Sequence, residues 1–298
     1  YRRISEAMLP RLWRSCPRRS GQFSFLTTLQ TEVNILRNPK CNREKIRIII
    51  GLLATAVFLL SGYKVCNYFY EARQSSTVTD ELIAKAVETV QDNQPESDTA
   101  FSLVAESTEY APITVDFSIL QAENEDIVAW IYCEDTPINY PIVQRDDNSF
   151  YLRRLTDGSW NMAGTLFLDY RCNADFSDSP SIVYGHNMKN DSMFGILPNY
   201  AEQSYFDEHP TMYLLTPETD YRVDLFAGYV TPSDSEAYQL QFSEDEKQQF
   251  IEQAKEQSDF TADVEVSADD CLLVLSTCSY EYSDARYVLI GKLTELSQ

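Results

Sequence analysis

Histidine is nearly absent from this 298-residue chain, and that scarcity limits the chemistry open to it. It occurs twice, at positions 186 and 209, and the seven cysteines, at 16, 41, 66, 133, 172, 271 and 278, include no Cys-x-x-Cys pair. A zinc site of the usual ligand spacing is therefore not supported, and no metal or other cofactor is expected. Glycine is scarce too, with nine residues against 19 Tyr and 15 Phe. That balance favours a β-rich core over a disordered or fibrous chain. No internal repeat or low-complexity tract is visible.

Basic residues are sparse in the main body of the chain. Residues 1–47 carry 11 Lys and Arg against 3 Asp and Glu, whereas the remainder carries 13 against 43, within a net charge of −22. Such a body repels phosphate, so nucleic acid is not an expected partner. The sign changes at an apolar run, Ile48 to Tyr63, of 16 uncharged residues. This is slightly short of the roughly 20 needed to span a bilayer. Ile46 and Val65 extend the run, and Arg47 and Lys64 can snorkel. No Ala-x-Ala-like cleavage site follows it, so the expectation is an uncleaved signal anchor over residues 46–66. The positive-inside rule then places the N-terminus in the cytoplasm and the main body outside, as a single-pass protein of the cell membrane. The expected divisions are a basic tail (1–45), the anchor (46–66), a polar stalk with a membrane-proximal helix (67–112) and a folded domain (113–298). The chain opens on Tyr1 rather than Met, as a fragment or an over-extended reading frame would.

Periodicity supplies the elements. Leu82, Ala86 and Val90 are spaced for a helix over Thr79–Gln91, and Phe117 and Leu120 for a short helix over Asp116–Glu123. Short β-branched and aromatic runs then follow at Val128–Tyr132, Ile138–Val143, Thr165–Leu168, Ser181–Tyr184, Met212–Leu215, Arg222–Val230, Val264–Val266, Leu272–Thr277 and Tyr287–Leu293. Their brevity and regular spacing predict an antiparallel or mixed β-barrel. One clear helix interrupts them, from Ser243 to about Gln257. It starts on a Ser243-x-x-Glu246 capping box and carries Phe250, Ile251 and Ala254 on one face.

Three residues could carry chemistry. Cys278 ends the apolar strand that begins at Leu272, where a thiol can reach the mouth of a cleft, and it shares a face with Leu272, Val274 and Ser276. A buried cysteine is otherwise only a small hydrophobe. His186 follows the strand Ile182-Val183-Tyr184, with Gly185 permitting close backbone approach or an unusual dihedral. His209, in an acidic turn before a strand, reads as an exposed turn residue. An imidazole can move the protons that a thiol nucleophile and a leaving amine require. Arg286 lies eight residues after Cys278, so a hairpin would bring the two together. There a guanidinium could stabilise an oxyanion, or simply pair with Asp284 or Glu281 at a barrel rim. Cys133, Cys172, Cys271 and Cys278 all lie in the main body. A disulfide among them is open but unassigned, and a catalytic Cys278 would have to stay free.

A strand ending Leu275-Ser276-Thr277-Cys278, an Arg eight residues on and an upstream Gly185-His186 together resemble the sortase catalytic pattern. The segments Asp126–Ile131, Ile138–Gln144, Asp147–Leu152, Ala163–Asp169 and above all Tyr184–Gly195 are similar to class B sortases, cysteine transpeptidases of the Gram-positive cell surface. So is the helix at 243–257. The resemblance covers about 113–298, and Ala129 departs from it where a Gly is common. It implies a mostly β fold, an eight-stranded sortase barrel with short peripheral helices preceded by one transmembrane helix. It further implies that Cys278 cleaves a C-terminal sorting signal after Thr, holding the exported protein as a thioester. An amine of a cell-wall precursor or cross-bridge, or a pilin lysine, would then resolve that thioester. His186 would be the general acid/base and Arg286 the oxyanion and substrate-orienting group. Ser276, Thr277, Ser279 and Thr231 would lie along the peptide groove. A hydrolytic cysteine peptidase, or a silent membrane-tethered binding module on the same barrel, would share this pattern in whole or part.

Overall fold

In a computed structural model, the described residues are 39–90, 110–279 and 281–296. Most of the basic tail, to residue 38, and the part of the polar stretch from 91 to 109 lie outside them. The chain divides into two units, one ending at Cys66 and one running from Asn67. Helix α1 (Pro39–Ala86) is long and apolar enough to cross a membrane. Its large side chains from Ile46 through Leu60 are exposed, Phe58 by 76%, so no protein core accounts for their apolar character.

The helix expected over Thr79–Gln91 differs in the structure. It is the end of α1 and stops at Ala86. Val87, Glu88 and Thr89 instead form strand β1 (Val87–Thr89), which pairs antiparallel with β2 (Ile113–Val115). Sheet pairing thus overrides the helical spacing of Val90, which is exposed. Leu82 and Ala86 are buried, against Ile113, Phe117 and Leu120. Helix α2 (Phe117–Glu123) starts where Asp116 caps it, accepting from the amides of Ser118 and Ile119.

Eight strands close the barrel: β3 (Ile127–Tyr132), β4 (Asn139–Val143), β5 (Leu166–Leu168), β6 (Ser181–Tyr184), β7 (Thr211–Leu215), β8 (Asp220–Pro232), β9 (Leu272–Cys278) and β10 (Ala285–Glu295). Around the barrel the order is β10-β8-β7-β3-β4-β5-β6-β9, with β4–β5 and β6–β9 parallel and the other pairs antiparallel. Alternation sorts the side chains. Ala129, Ile131, Val183, Leu273, Leu275 and Leu289 fill the barrel, whereas Trp130 turns outward beneath α1 and α2. A short helix α3 (Gln203–Glu208) precedes β7.

Helix α4 (Glu244–Gln257) begins on the expected capping box, with both reciprocal bonds between Ser243 and Glu246 formed. Its face of Phe250, Ile251 and Ala254 covers Val274, Val288 and Ile290 on the outside of the barrel. The strand expected at Val264–Val266 is not one. This segment satisfies its carbonyls with side chains instead, Lys255 Nζ donating to Val264 O (2.8 Å) and Lys292 Nζ to Glu265 O (3.3 Å). Because α4 forms one flank of the outer face used by the site below, truncating Ile251, which is 1% exposed, tests its docking. Ile251→Ala is expected to cost about 2–5 kcal/mol, read as a lowered urea midpoint at unchanged m-value.

Candidate active site

Strand β9 runs between β6, its parallel neighbour, and β10, its antiparallel one. Leu273 and Leu275 point into the barrel, so Ser276 and Cys278 continue the outward face of Leu272 and Val274. Arg286 stands directly opposite Cys278 in the β9–β10 ladder. Opposed residues in such a ladder have Cα atoms about 4.5–5.5 Å apart. Arg286 has the parity of Val288 and Ile290, which meet α4, and so faces outward as well. On the other side Tyr184 is opposite Ser276. His186 follows two residues beyond Tyr184. Register alone therefore gathers the three residues singled out in the sequence onto one outer edge of the barrel.

Local contacts hold the His186 segment there. The Gly185 amide donates to Ser276 O (3.0 Å), and Asn187 Nδ2 donates to the carbonyl of Cys278 itself (2.8 Å). A Cβ on Gly185 would stand 2.5 Å from Leu166 Cδ2 and Phe194 Cδ2. Close approach, not a special dihedral, is therefore why glycine is needed at that position.

Cys278, His186 and Arg286 share a cleft of about 460 Å³ with Ser276 and Thr277. Its walls are Leu152, Phe167, Tyr184 and Tyr238, with Ser233 at the β8 side. Ser276 is buried, and its hydroxyl is hydrogen-bonded to Tyr238 (2.8 Å). Thr277 Oγ1 is buried without a hydrogen-bond partner in the structure. Thr231 and Ser279 are not among the residues lining the cleft. Thr231 is buried opposite Arg286 in the β8–β10 ladder, and the Ser279 hydroxyl bonds to the Glu281 carboxylate. His209 lies elsewhere. It is half-buried rather than the exposed turn residue expected, capping the end of α3 with its ring against Tyr205.

The charge in the cleft has identifiable causes. Burial disfavours the imidazolium of His186 and pushes its pKa below the usual value. The Leu152 carbonyl, 2.8 Å from Nε2, opposes that shift, and the nearby Arg153 guanidinium adds to it. Asp169, fully buried, anchors the far corner. Burial opposes its ionisation, but bonds from Arg171, Tyr184 and Asn148 outweigh it and hold the carboxyl below the usual range. Those bonds fix the orientation of three cleft-lining side chains. Sequence reasoning missed Asn148, Tyr184, Arg171 and Tyr238 as cleft residues. Tyr184 adjoins the Gly185-His186 motif, but Tyr238 comes from a 3-10 turn (Glu236–Tyr238) that no periodicity marks.

The cysteines differ sharply. Cys66, Cys133, Cys172, Cys271 and Cys278 are free thiols. Cys133 and Cys172 are buried, and burial pushes both thiols up, Cys172 to about 11. Cys278 is half-buried at the cleft. Among the described residues no cluster of His, Cys, Asp and Glu could hold a metal ion.

No family model matches the chain. Among characterised proteins it is 36% identical over 256 residues to sortase B of Listeria monocytogenes, covering 84% of this chain and 98% of that one. The structure is similar to Bacillus anthracis sortase B in complex with AAEK1, with a TM-score of 0.62, 32% identity, and coverage of 76% of this chain and 99% of that one. It is also similar to a Staphylococcus aureus sortase B–substrate complex, with a TM-score of 0.58, 30% identity, and coverage of 61% and 85%. The Listeria likeness runs along nearly the whole of that protein, and the barrel topology is shared with the solved enzymes. The chain belongs to the sortase B family of cysteine transpeptidases.

Proposed function

We propose that Cys278 is the nucleophile that cuts a C-terminal sorting signal of exported proteins after Thr and passes the protein to an amine of the cell wall. The observation that carries this reading is the placement of Cys278, Arg286 and His186 on one outward edge, by the register of β9 with β10 and β6. The Cys278 thiol gives its proton to His186 as its sulfur adds to the Thr carbonyl carbon, and Arg286 stabilises the oxyanion. The carbon–nitrogen bond breaks as His186, protonated at that point, gives its proton to the departing amine. The exported protein is then a thioester on Cys278. An acceptor amine adds to the thioester, surrenders a proton to His186 and forms the new amide, and the thiolate leaves. The acceptor class is an amine of a peptidoglycan precursor or cross-bridge, or a pilin lysine. Ser276 and Thr277, with Tyr184 and Tyr238 opposite, form the walls against which the peptide lies. Helix α1 serves as the single-pass anchor of this reading, with the basic tail cytoplasmic and the unit from Asn67 outside.

Incubating the chain with sorting-signal peptides, with and without amine acceptors, is expected to yield a thioester adduct on Cys278 by mass spectrometry. The adduct should vanish in Cys278→Ala. Absence of adduct and cleavage across the whole panel would overturn the reading, and hydrolysis alone, even with wall amines present, would make the chain a peptidase. Arg286→Lys is expected to lower kcat/KM by about 10²–10³-fold, as loss of an oxyanion donor does. Because the neutral imidazole is favoured at His186, the acid limb of the kcat/KM profile should lie below the ordinary histidine value of about 6.5. A thiol-alkylating reagent should modify Cys278 well before Cys133 and Cys172, as mapped by peptide mass analysis.

A further inference from the structure

One contact to His186 has no part in the acyl transfer. Arg153 ends a 3-10 turn (Tyr151–Arg153), and its Nη1 lies 2.9 Å from His186 Nε2. The same Nη1 donates to Met162 O (2.8 Å). Its two protons are thus both directed, one to a carbonyl and one to the ring. The Leu152 carbonyl lies 2.8 Å from the same ring nitrogen. A single imidazole nitrogen presents either a lone pair or an N–H. As a lone pair, Nε2 accepts from Arg153, and the ring is neutral with its proton on Nδ1. As an N–H it donates to Leu152 O, and the imidazolium has only this second option. Arg153 and Leu152 therefore compete for one atom and favour opposite protonation states.

Arg153 is itself held at two points, its backbone carbonyl and its guanidinium. Asn161, fully buried, donates its amide to Arg153 O (3.0 Å) and its Nδ2 to Glu71 O (2.9 Å) on α1. The Met162 amide donates to Glu71 Oε2 (3.2 Å), so the carbonyl that fixes the guanidinium belongs to a residue tied to the same helix. The charged and titratable groups sharing the cleft with His186 are Cys278, Arg286, Arg171, Tyr184 and Tyr238, and no carboxylate is among its lining residues. The positive charge of Arg153 is therefore not neutralised from within the cleft.

We propose that Arg153 is a positioning residue for His186, selecting the neutral tautomer with its proton on Nδ1 and holding the ring in place, and that α1 fixes this arrangement through Glu71 and Asn161. The proposal rests on the reading of His186 as general acid/base. When the imidazolium forms, the ring releases Arg153 and turns its Nε2–H to Leu152 O.

The test uses the full chain in detergent micelles, ¹⁵N-labelled at histidine, where only His186 and His209 give ring signals. In Arg153→Met the His186 ring is expected to titrate at higher pH and to lose the Nδ1–H tautomer. The acid limb of kcat/KM should move upward by the same amount. A kcat loss between about 10- and 100-fold at little-changed KM is expected, as for a misplaced general acid. Arg153→Lys, which keeps the charge, should restore part of both, and it serves as the readout if the Met variant does not fold. Asn161→Ala should shift the titration in the same direction by less, and adding it to Arg153→Met should cost nothing further. An unchanged His186 titration and tautomer in the Arg153 variants, or additive losses in the double variant, would overturn the proposal. Full cleavage by His186→Ala would instead overturn the reading of the site beneath it.

Discussion

Everything in the site depends on how β9 is registered between its two neighbours. Cys278, Arg286 and His186 are far apart in sequence or separated by a turn, and none is aimed by its own local conformation. The ladder to β10 sets Arg286 opposite Cys278, and the parallel ladder to β6 sets Tyr184 opposite Ser276, with His186 two residues beyond. Side chains alternate along a strand, so a slip of one residue in either ladder would move a partner to the barrel interior. Leu273, Leu275 and Leu289 guard against such a slip, because it would expel them from the core. The apolar packing that stabilises the barrel is thus also what aligns the polar groups of the site.

Electrostatics add a second layer to that frame. The body of the protein is acidic, yet the cleft presents Arg171, His186 and Arg286. The buried carboxylate of Asp169 is committed to Arg171, Tyr184 and Asn148 and orients them. Burial keeps His186 neutral more readily than charged and makes Cys133 and Cys172 poor nucleophiles. Differences in burial separate the half-buried Cys278, the proposed nucleophile, from the core thiols of Cys133 and Cys172.

Much of this was legible because it is local or periodic. The capping box at Ser243 and Glu246, the apolar face of α4, the cap at Asp116 and most of the strand runs obey spacing rules that need no knowledge of the partner. The outward face shared by Ser276 and Cys278 follows from alternation alone. Failures occurred where a distant partner decided the outcome. Val90 has helical spacing with Ala86, but β2 was available to pair with Val87–Thr89. Val264–Val266 has strand composition, but lysines of α4 and β10 took its carbonyls. Thr231 and Ser279 adjoin the right residues in the chain, yet neither lines the cleft; one is paired inside a ladder and the other bonded to Glu281.

The sequence by itself determined the residue types able to do thiol acyl transfer, the strands that carry Cys278 and Arg286, and an apolar segment able to cross a membrane. These follow from composition, period and charge, which are properties of the chain taken a few residues at a time. Only the tertiary structure decided which polar groups meet. The docking of Asn161 and Met162 on Glu71, the competition of Arg153 and Leu152 for one imidazole nitrogen, and the placement of Tyr238 against Ser276 join residues 33 to 91 positions apart. Such contacts carry no periodic signal, because each depends on the closed barrel that brings its two ends together.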